Sequence, residues 1–314
     1  MHVFHPVGNN SVVANMSKYE ATLYAWKKRV ETAYLNPPSG ICLNVLITAA
    51  RHGDARLATD VFRVLGNRKT KFELHQYETL VEAYTTSGNV KTALTILCIM
   101  KTSGHEPEEG STRSLFQHFR QDPQRPSKAF DILRDLRKAG RAVPTSAVNS
   151  IIEASVHLED LSQAIDQYKQ LHTLCPDGPN TATFNALFRG CNTAHRKDLA
   201  MFLASEMLAL NVKPDALTYD RLLLVCLDQD DYEDAFKYFD EMKGRGWMPR
   251  QGTLVAMVKK CAERADERAF DVYQEIQGEG METGKIRKWL RENWAGPADS
   301  GRMKSLLSKS CHLP

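Results

Sequence analysis

One alanine returns along this chain at nearly constant spacing. It stands at Ala58, Ala93, Ala129, Ala164, Ala200, Ala235 and Ala269. A repeat unit of this size cannot enclose a core of its own and must bury its apolar face against its neighbours. Four residues after each alanine comes a mostly bulky apolar residue (Phe62, Leu97, Leu133, Tyr168, Ala204, Phe239, Tyr273). Seven residues after it comes a large aliphatic one (Leu65, Met100, Leu136, Leu171, Met207, Met242, Ile276). Positions i, i+4 and i+7 share one helix face, and the alanine marks where two helices come closest.

Eleven residues after the alanine stand Gly104, Gly140, Asn211, Gly246 and Gly280 in five of the seven units. These residue types tolerate the left-handed conformation that ends a helix. Pro107, Pro144, Pro214 and Pro249 follow in four units and Pro179 in a fifth, so a second helix must begin beyond them. That helix carries its own apolar pairs: Leu46-Ile47, Leu80-Val81, Leu115-Phe116, Ile151-Ile152, Leu187-Phe188, Leu222-Leu223 and Met257-Val258. Each unit is therefore helix A, a turn, helix B and a Gly/Pro linker. No strand pattern competes. The reading is all-α, a superhelical solenoid of about seven two-helix repeats at 40–73, 74–108, 109–144, 145–180, 181–215, 216–250 and 251–283.

Three segments follow. Residues 1–36 hold a capping helix over 18–34, with Leu23, Trp26, Val30 and Ala33 at helical spacing. Residues 37–283 form the solenoid. Residues 284–314 hold a basic cap helix, Lys285–Trp294, and a Gly/Ser/Lys-rich tail expected to be loose.

Composition closes off several classes. The longest uncharged stretch, Thr32–Ala50, contains Asn36-Pro37-Pro38-Ser39-Gly40, so no membrane insertion is expected. The segment Met1–Ser17 lacks Lys and Arg, and so lacks the basic character of a transit or signal peptide. Seven cysteines read as reduced thiols rather than a disulfide framework. Cys191, Cys226 and Cys261 recur with the period of the alanines, which places them at one packing position of successive A helices. No metal or other cofactor is expected, because no C-x₂-C pair and no H-E-x-x-H occurs. Asp228, Asp230 and Asp231 fall in a turn and read as a solvated loop. Without a phosphate loop or nucleophile elbow, neither an enzyme nor a small-molecule substrate is expected.

The stretch Val212-Lys213-Pro214-Asp215-Ala216-Leu217-Thr218-Tyr219-Asp220-Arg221-Leu222-Leu223, followed by Ala235-Phe236, Phe239-Asp240-Glu241-Met242 and Gly246, resembles the pentatricopeptide repeat (PPR), organellar type. Thr181–Asp215 fits equally well, and the likeness runs from about 40 to 283. Tetratricopeptide repeats share the helix-B alanine, but their slightly shorter period and helix-A Trp/Tyr pattern are missing here. The resemblance implies a right-handed, TPR-like superhelix and places the protein in mitochondria. Some members carry a metal-dependent nuclease domain after the repeats, and the stretch 284–314 is too short to hold one.

The resemblance further implies that each repeat reads one base of single-stranded RNA. A polar residue just before the helix-A apolar pair works with the last residue of the repeat. Carried over, the pairs are Asn44/Glu73, Glu78/Glu108, Arg113/Thr145, Asn149/Asn180, Asn185/Asp215 and Asp220/Arg250, with Val255 in the last repeat. Asn185/Asp215 matches the family's uridine-reading combination and Asn149/Asn180 a cytidine or pyrimidine one, implying a short pyrimidine-containing RNA. Departures accompany these matches. Of the aliphatic residues that flank a base, only Ile41 and Leu217 are present. The places where a lysine commonly meets phosphate hold His52, Thr86, Gln121, His157, Thr193, Asp228 and Glu263.

Charge sharpens the alternatives. The chain carries +3, of which +2 lies in 1–36 and +4 in 281–314, leaving residues 37–280, nearly all of the repeats, at −3. Arg287, Lys288 and Arg291 are secondary phosphate-contact candidates on the C-terminal helix. Two functions stay open: an RNA-binding protein of mitochondrial RNA processing, stability or translation, or a scaffold that binds polypeptide. The scaffold's partners would be the organellar ribosome or respiratory-complex assembly proteins.

Overall fold

The computed structural model describes residues 9–30, 36–67, 71–278, 280, 284–297 and 301–302. Ala33, the side chains of 1–17 and most of the tail lie outside the described residues. Among the described residues there are sixteen helices and no strand, an all-α helical repeat fold. The chain packs as two compact units, 1–183 and 184–314.

The first unit begins with α1 (Asn9–Arg29). Helix pairs follow: α2 (Ser39–Arg51) and α3 (Ala55–Gly66), α4 (Leu74–Thr86) and α5 (Val90–Thr102), α6 (Glu109–Phe119) and α7 (Gln124–Lys138), then α8 (Thr145–His157) and α9 (Leu161–Leu174). Helix α10 (Thr181–Thr193) runs into the second unit. There it precedes α11 (Lys197–Ala209), the pair α12 (Ala216–Leu227) and α13 (Glu233–Gly244), the pair α14 (Gln251–Glu263) and α15 (Arg268–Gly278), and α16 (Gly284–Asn293).

Packing follows the spacing read from the sequence. All seven repeat alanines are at most 1% exposed, and the seven aliphatic residues two turns further along are all buried. Small residues there let helix backbones approach, and the larger ones interlock beside them. In the first unit α2, α4, α6 and α8 pack side by side, and α7 touches both α5 and α9. In the second, α12 packs on α13 and α14, and α14 on α15 and α16. Gly104, Gly140, Asn211, Gly246 and Gly280 all adopt positive φ, between 55° and 84°, so each helix B they follow ends as its residue type dictates. A second left-handed series sits between helices A and B, at Gly53, Gly88, Glu159, His195 and Ala265. The sequence gives less warning of it, because three of its members carry a Cβ that disfavours this conformation.

The first helix departs from expectation. It starts at Asn9, not Lys18, and its described part ends at Arg29. Trp26 is 3% exposed, while Tyr19 stacks on His52 at 4.4 Å and donates from its hydroxyl to Asp54 Oδ2 at 2.7 Å. Those contacts anchor the helix, whose N-terminal extension lacks the apolar periodicity that would reveal it.

At the other end, α16 buries Ile286 and Leu290 in the core of the second unit. Trp294 packs on Phe270 at 4.8 Å, and the Ala295 N–H donates to the Ala262 carbonyl at 3.0 Å. The basic C-terminal helix is thus a structural cap on its apolar side.

Candidate nucleic-acid interface

The two amide-containing pairs are brought together within hydrogen-bond distance. Asn149, half-buried on α8, donates from Nδ2 to Asn180 Oδ1 at 3.0 Å. Asn185, 7% exposed on α10, donates from Nδ2 to Asp215 Oδ1 at 3.2 Å. Asn180 and Asp215 sit immediately before α10 and α12, where a side-chain oxygen caps the free backbone N–H groups of a helix start. Asn180 Oδ1 accepts from the Thr183 N–H at 3.1 Å, and Asp215 Oδ1 accepts from the Thr218 N–H at 2.8 Å.

Each pair is completed by a residue that the pairwise reading misses. The Thr183 hydroxyl donates to Asn149 Oδ1 at 2.7 Å, and the Thr218 hydroxyl donates to Asn185 Oδ1 at 2.8 Å. Both threonines are fully buried. Their signal was present in the sequence, since Asn-x-x-Thr and Asp-x-x-Thr before an apolar run are helix-start capping patterns. Ser111 plays the same part beside Glu78/Glu108, donating to Glu78 Oε1 at 2.8 Å.

Burial pushes the Asp215 carboxyl upward, but the Thr218 N–H, the Thr218 hydroxyl and the Asn185 amide outweigh it and hold it below its ordinary value. Asp215 is therefore an ionised acceptor at neutral pH. Its Oδ1 is engaged by Asn185 and Thr218, and the Leu217 N–H also bonds the carboxylate.

The other predicted residues are placed differently. Asp220 is 1% exposed, and both its oxygens are taken by Arg250, from the backbone N–H at 3.0 Å and from Nε at 2.7 Å. A carboxylate so buried and paired has no acceptor to offer a base, so Asp220/Arg250 is a closed ion pair. Leu217 is 37% exposed beside Asp215. Asn44 and Glu73 are both exposed, and Glu73 caps α4 in a reciprocal box with Gln76. Arg113 is exposed, whereas Thr145 is buried and gives its hydroxyl to the Gly178 carbonyl at 3.0 Å. Glu78 and Glu82 line an open cleft between α4 and α6 with His75, Arg113, His118 and Gln121. Burial, helped by Arg125, lowers the pKa of His118 and favours its neutral form. Lys288 and Arg291 are exposed on α16, with Lys288 4.0 Å from Glu292.

The repeat-spaced thiols are shielded by their environment. Cys191, Cys226 and Cys261 are fully buried, and burial raises them to about 12, 11 and 12. Among the described residues no group of three or more His, Cys, Asp or Glu side chains could hold a metal ion. Asp228 contacts His195, Asp230 pairs with Arg264, and Asp231 accepts the Glu233 N–H at 3.2 Å. No helix among the described residues is long and apolar enough to cross a membrane.

A protein built of stacked A/B helix pairs, with polar pairs set at the junctions between repeats, is a helical repeat protein. Two family descriptions match it across the repeats: "pentatricopeptide repeat-containing protein" over residues 39–171 and "pentacotripeptide-repeat region of PRORP" over 147–277. The chain belongs to the pentatricopeptide repeat family. It is 25% identical over 170 residues to a pentatricopeptide repeat-containing protein of Arabidopsis thaliana, covering 52% of this chain and 29% of the relative. It is 28% identical over 82 residues to the mitochondrial 15S rRNA processing factor CCM1 of Candida tropicalis, covering 26% and 11%. The solved structure of the pentatricopeptide repeat protein PPR10 from maize aligns over 88% of this chain and 43% of its own, at 17% identity and a TM-score of 0.43. The chain thus spans less than a third of the length of these curated relatives.

Proposed function

We propose that this protein is a binding module for short, pyrimidine-containing single-stranded RNA, with no reaction of its own, acting in mitochondrial RNA processing, stability or translation. The observation that carries the reading is the pairing of Asn185 with an ionised Asp215, fixed by Thr218. The Asp215 carboxylate, which keeps acceptor capacity beyond these bonds, would accept and an Asn185 N–H would donate, which suits the N3–H and a neighbouring carbonyl of uracil. At Asn149/Asn180 the uncommitted atom of the cap residue is an amide nitrogen, because Asn180 Oδ1 is held by Thr183 and Asn149. A donor there suits the unprotonated N3 of cytosine. The mitochondrial assignment is supported by relatives whose names place them there.

The test is binding of short RNAs that differ at a single U, C or G, with wild type and Asn185→Thr at two salt concentrations. Wild type should favour pyrimidines. The variant should shift one position from uridine toward guanosine, as the family pattern implies, at similar affinity for its preferred RNA. Each base contact should be worth about 1–3 kcal/mol. Weak binding that vanishes near physiological salt and ignores Asn185 would overturn the reading.

A second reading, a scaffold for polypeptide, is favoured by the Glu78/Glu82 cleft and the −3 charge of residues 37–280. Carboxylates repel phosphate but suit lysine or arginine side chains. Crosslinking in cells separates the two: protein adducts without RNA adducts would support the scaffold, whose partners would be ribosomal or respiratory-complex assembly proteins.

A further inference from the structure

We infer that Thr218 and Thr183 are positioning residues whose hydroxyls hold the oxygens of the Asn185 and Asn149 amides and so, together with Asp215 and Asn180, fix which edge of each amide faces a bound base; this rests on the RNA-binding reading above. An asparagine amide can rotate by half a turn and exchange its oxygen for its nitrogen, which swaps acceptor for donor at nearly constant shape. A reader that flips freely would present both patterns and discriminate poorly. Something must hold one orientation before the base arrives.

Hydrogen counting shows what does. The Thr218 oxygen accepts the Asp215 N–H at 3.1 Å, so its single hydrogen remains to be given. It faces Asn185 Oδ1 and Asp215 Oδ1, each at 2.8 Å. Asp215 is ionised and can only accept, so the amide group turned toward it must be the Asn185 nitrogen. The oxygen of Asn185 then falls opposite the one donor available, the Thr218 hydroxyl. In the flipped amide, oxygen would face the carboxylate. The same count holds at the other pair. Asn180 N–H donates to the Thr183 oxygen at 3.1 Å, and Thr183 N–H pins Asn180 Oδ1 inward. Asn149 must offer that oxygen its nitrogen, and its own oxygen meets the Thr183 hydroxyl.

The arrangement recurs outside the two pairs. Ser111 accepts the Glu108 N–H at 3.3 Å and donates to Glu78, so a hydroxyl at the third position of α6, α10 and α12 always reaches back to the reading position of the preceding repeat. A hydroxyl needed only as a helix cap would have no reason to meet that side chain. One group therefore starts the helix and sets the chemical face of the reader.

The experiment uses the full chain with Thr218→Val and Thr218→Ser. Affinity is measured for RNAs carrying U, C or G at the discriminated position, alongside thermal stability and the Asn185 side-chain amide signals of the free protein by NMR. Thr218→Val should lower the preference for U over C and G by about fivefold, the worth of one hydrogen bond, and expose the Asn185 amide to exchange. Thr218→Ser should restore both. If Thr218→Val weakens every RNA equally, with unchanged ratios and a protected Asn185 amide, the hydroxyl is only a cap and the inference fails. Thr183→Val, measured at the cytidine-type position, makes the same decision should Thr218→Val not fold. If wild type shows no selectivity, the RNA reading fails first. The NMR readout in the free protein still tells whether the hydroxyl sets the amide.

Discussion

Cys191, Cys226 and Cys261 show how a repeat fixes a side chain's chemistry without giving it a function. Each sits at the same helical position, fully buried, with its ionisation pushed up to about 12, 11 and 12 chiefly by loss of water. The thiolate is the reactive form, so these groups should modify far more slowly with a maleimide at pH 8 in the folded protein than after denaturation. Mass spectrometry of labelled peptides checks this; labelling at the unfolded rate would refute it. The sign of the pH effect follows. Below about pH 9 both states keep the thiol proton and stability is unaffected. As pH rises from about 9 to about 12, the unfolded chain ionises first and stability falls, so denaturant midpoints should decline with alkali and decline less in Cys→Ala variants. These packing roles were legible because their spacing matches the repeat. The closure of Asp220 by Arg250 was not: the sequence pairs the two positions, but only the packed junction shows that the carboxylate is consumed by its own partner.

Helices were the most readable elements, since alanine, apolar pair and Gly/Pro linker each report on a different part of the unit. Ala235 is fully buried on α13, where the second unit's core includes Phe239, Met242 and Tyr219. Tryptophan there must displace close-packed neighbours, so Ala235→Trp should destabilise by about 1–3 kcal/mol, measured by urea unfolding. An unchanged midpoint would mean that α13 faces elsewhere. What the sequence concealed at this scale was structure without a matching residue pattern. The start of α1 at Asn9 and the left-handed turns at Glu159, His195 and Ala265 arise from tertiary packing and turn closure, and no residue type announces them.

Across the whole molecule, charge is segregated: residues 37–280 carry −3, while residues 281–314 carry +4. Affinity for nucleic acid rests on cations meeting phosphate, whereas discrimination rests on base edges, so the RNA-binding reading proposed above would house the two properties in different parts of the chain. Helix α16 shows the division within one element. Ile286 and Leu290 hold it to the core, and Lys288 and Arg291 lie exposed on its other side. Replacing Arg287, Lys288 and Arg291 together by Gln keeps the buried face and removes three charges. If these residues contact RNA, affinity should fall alike for U-, C- and G-containing sequences. The slope of log affinity against log salt should flatten by about 2, since each single-strand phosphate contact contributes about 0.7. Selectivity should survive, because the pairs at Asn149 and Asn185 are untouched. An unchanged slope would confine α16 to its capping role and leave the phosphate contacts to be sought on the repeats. A loss of selectivity with an intact slope would contradict the separation of the two properties.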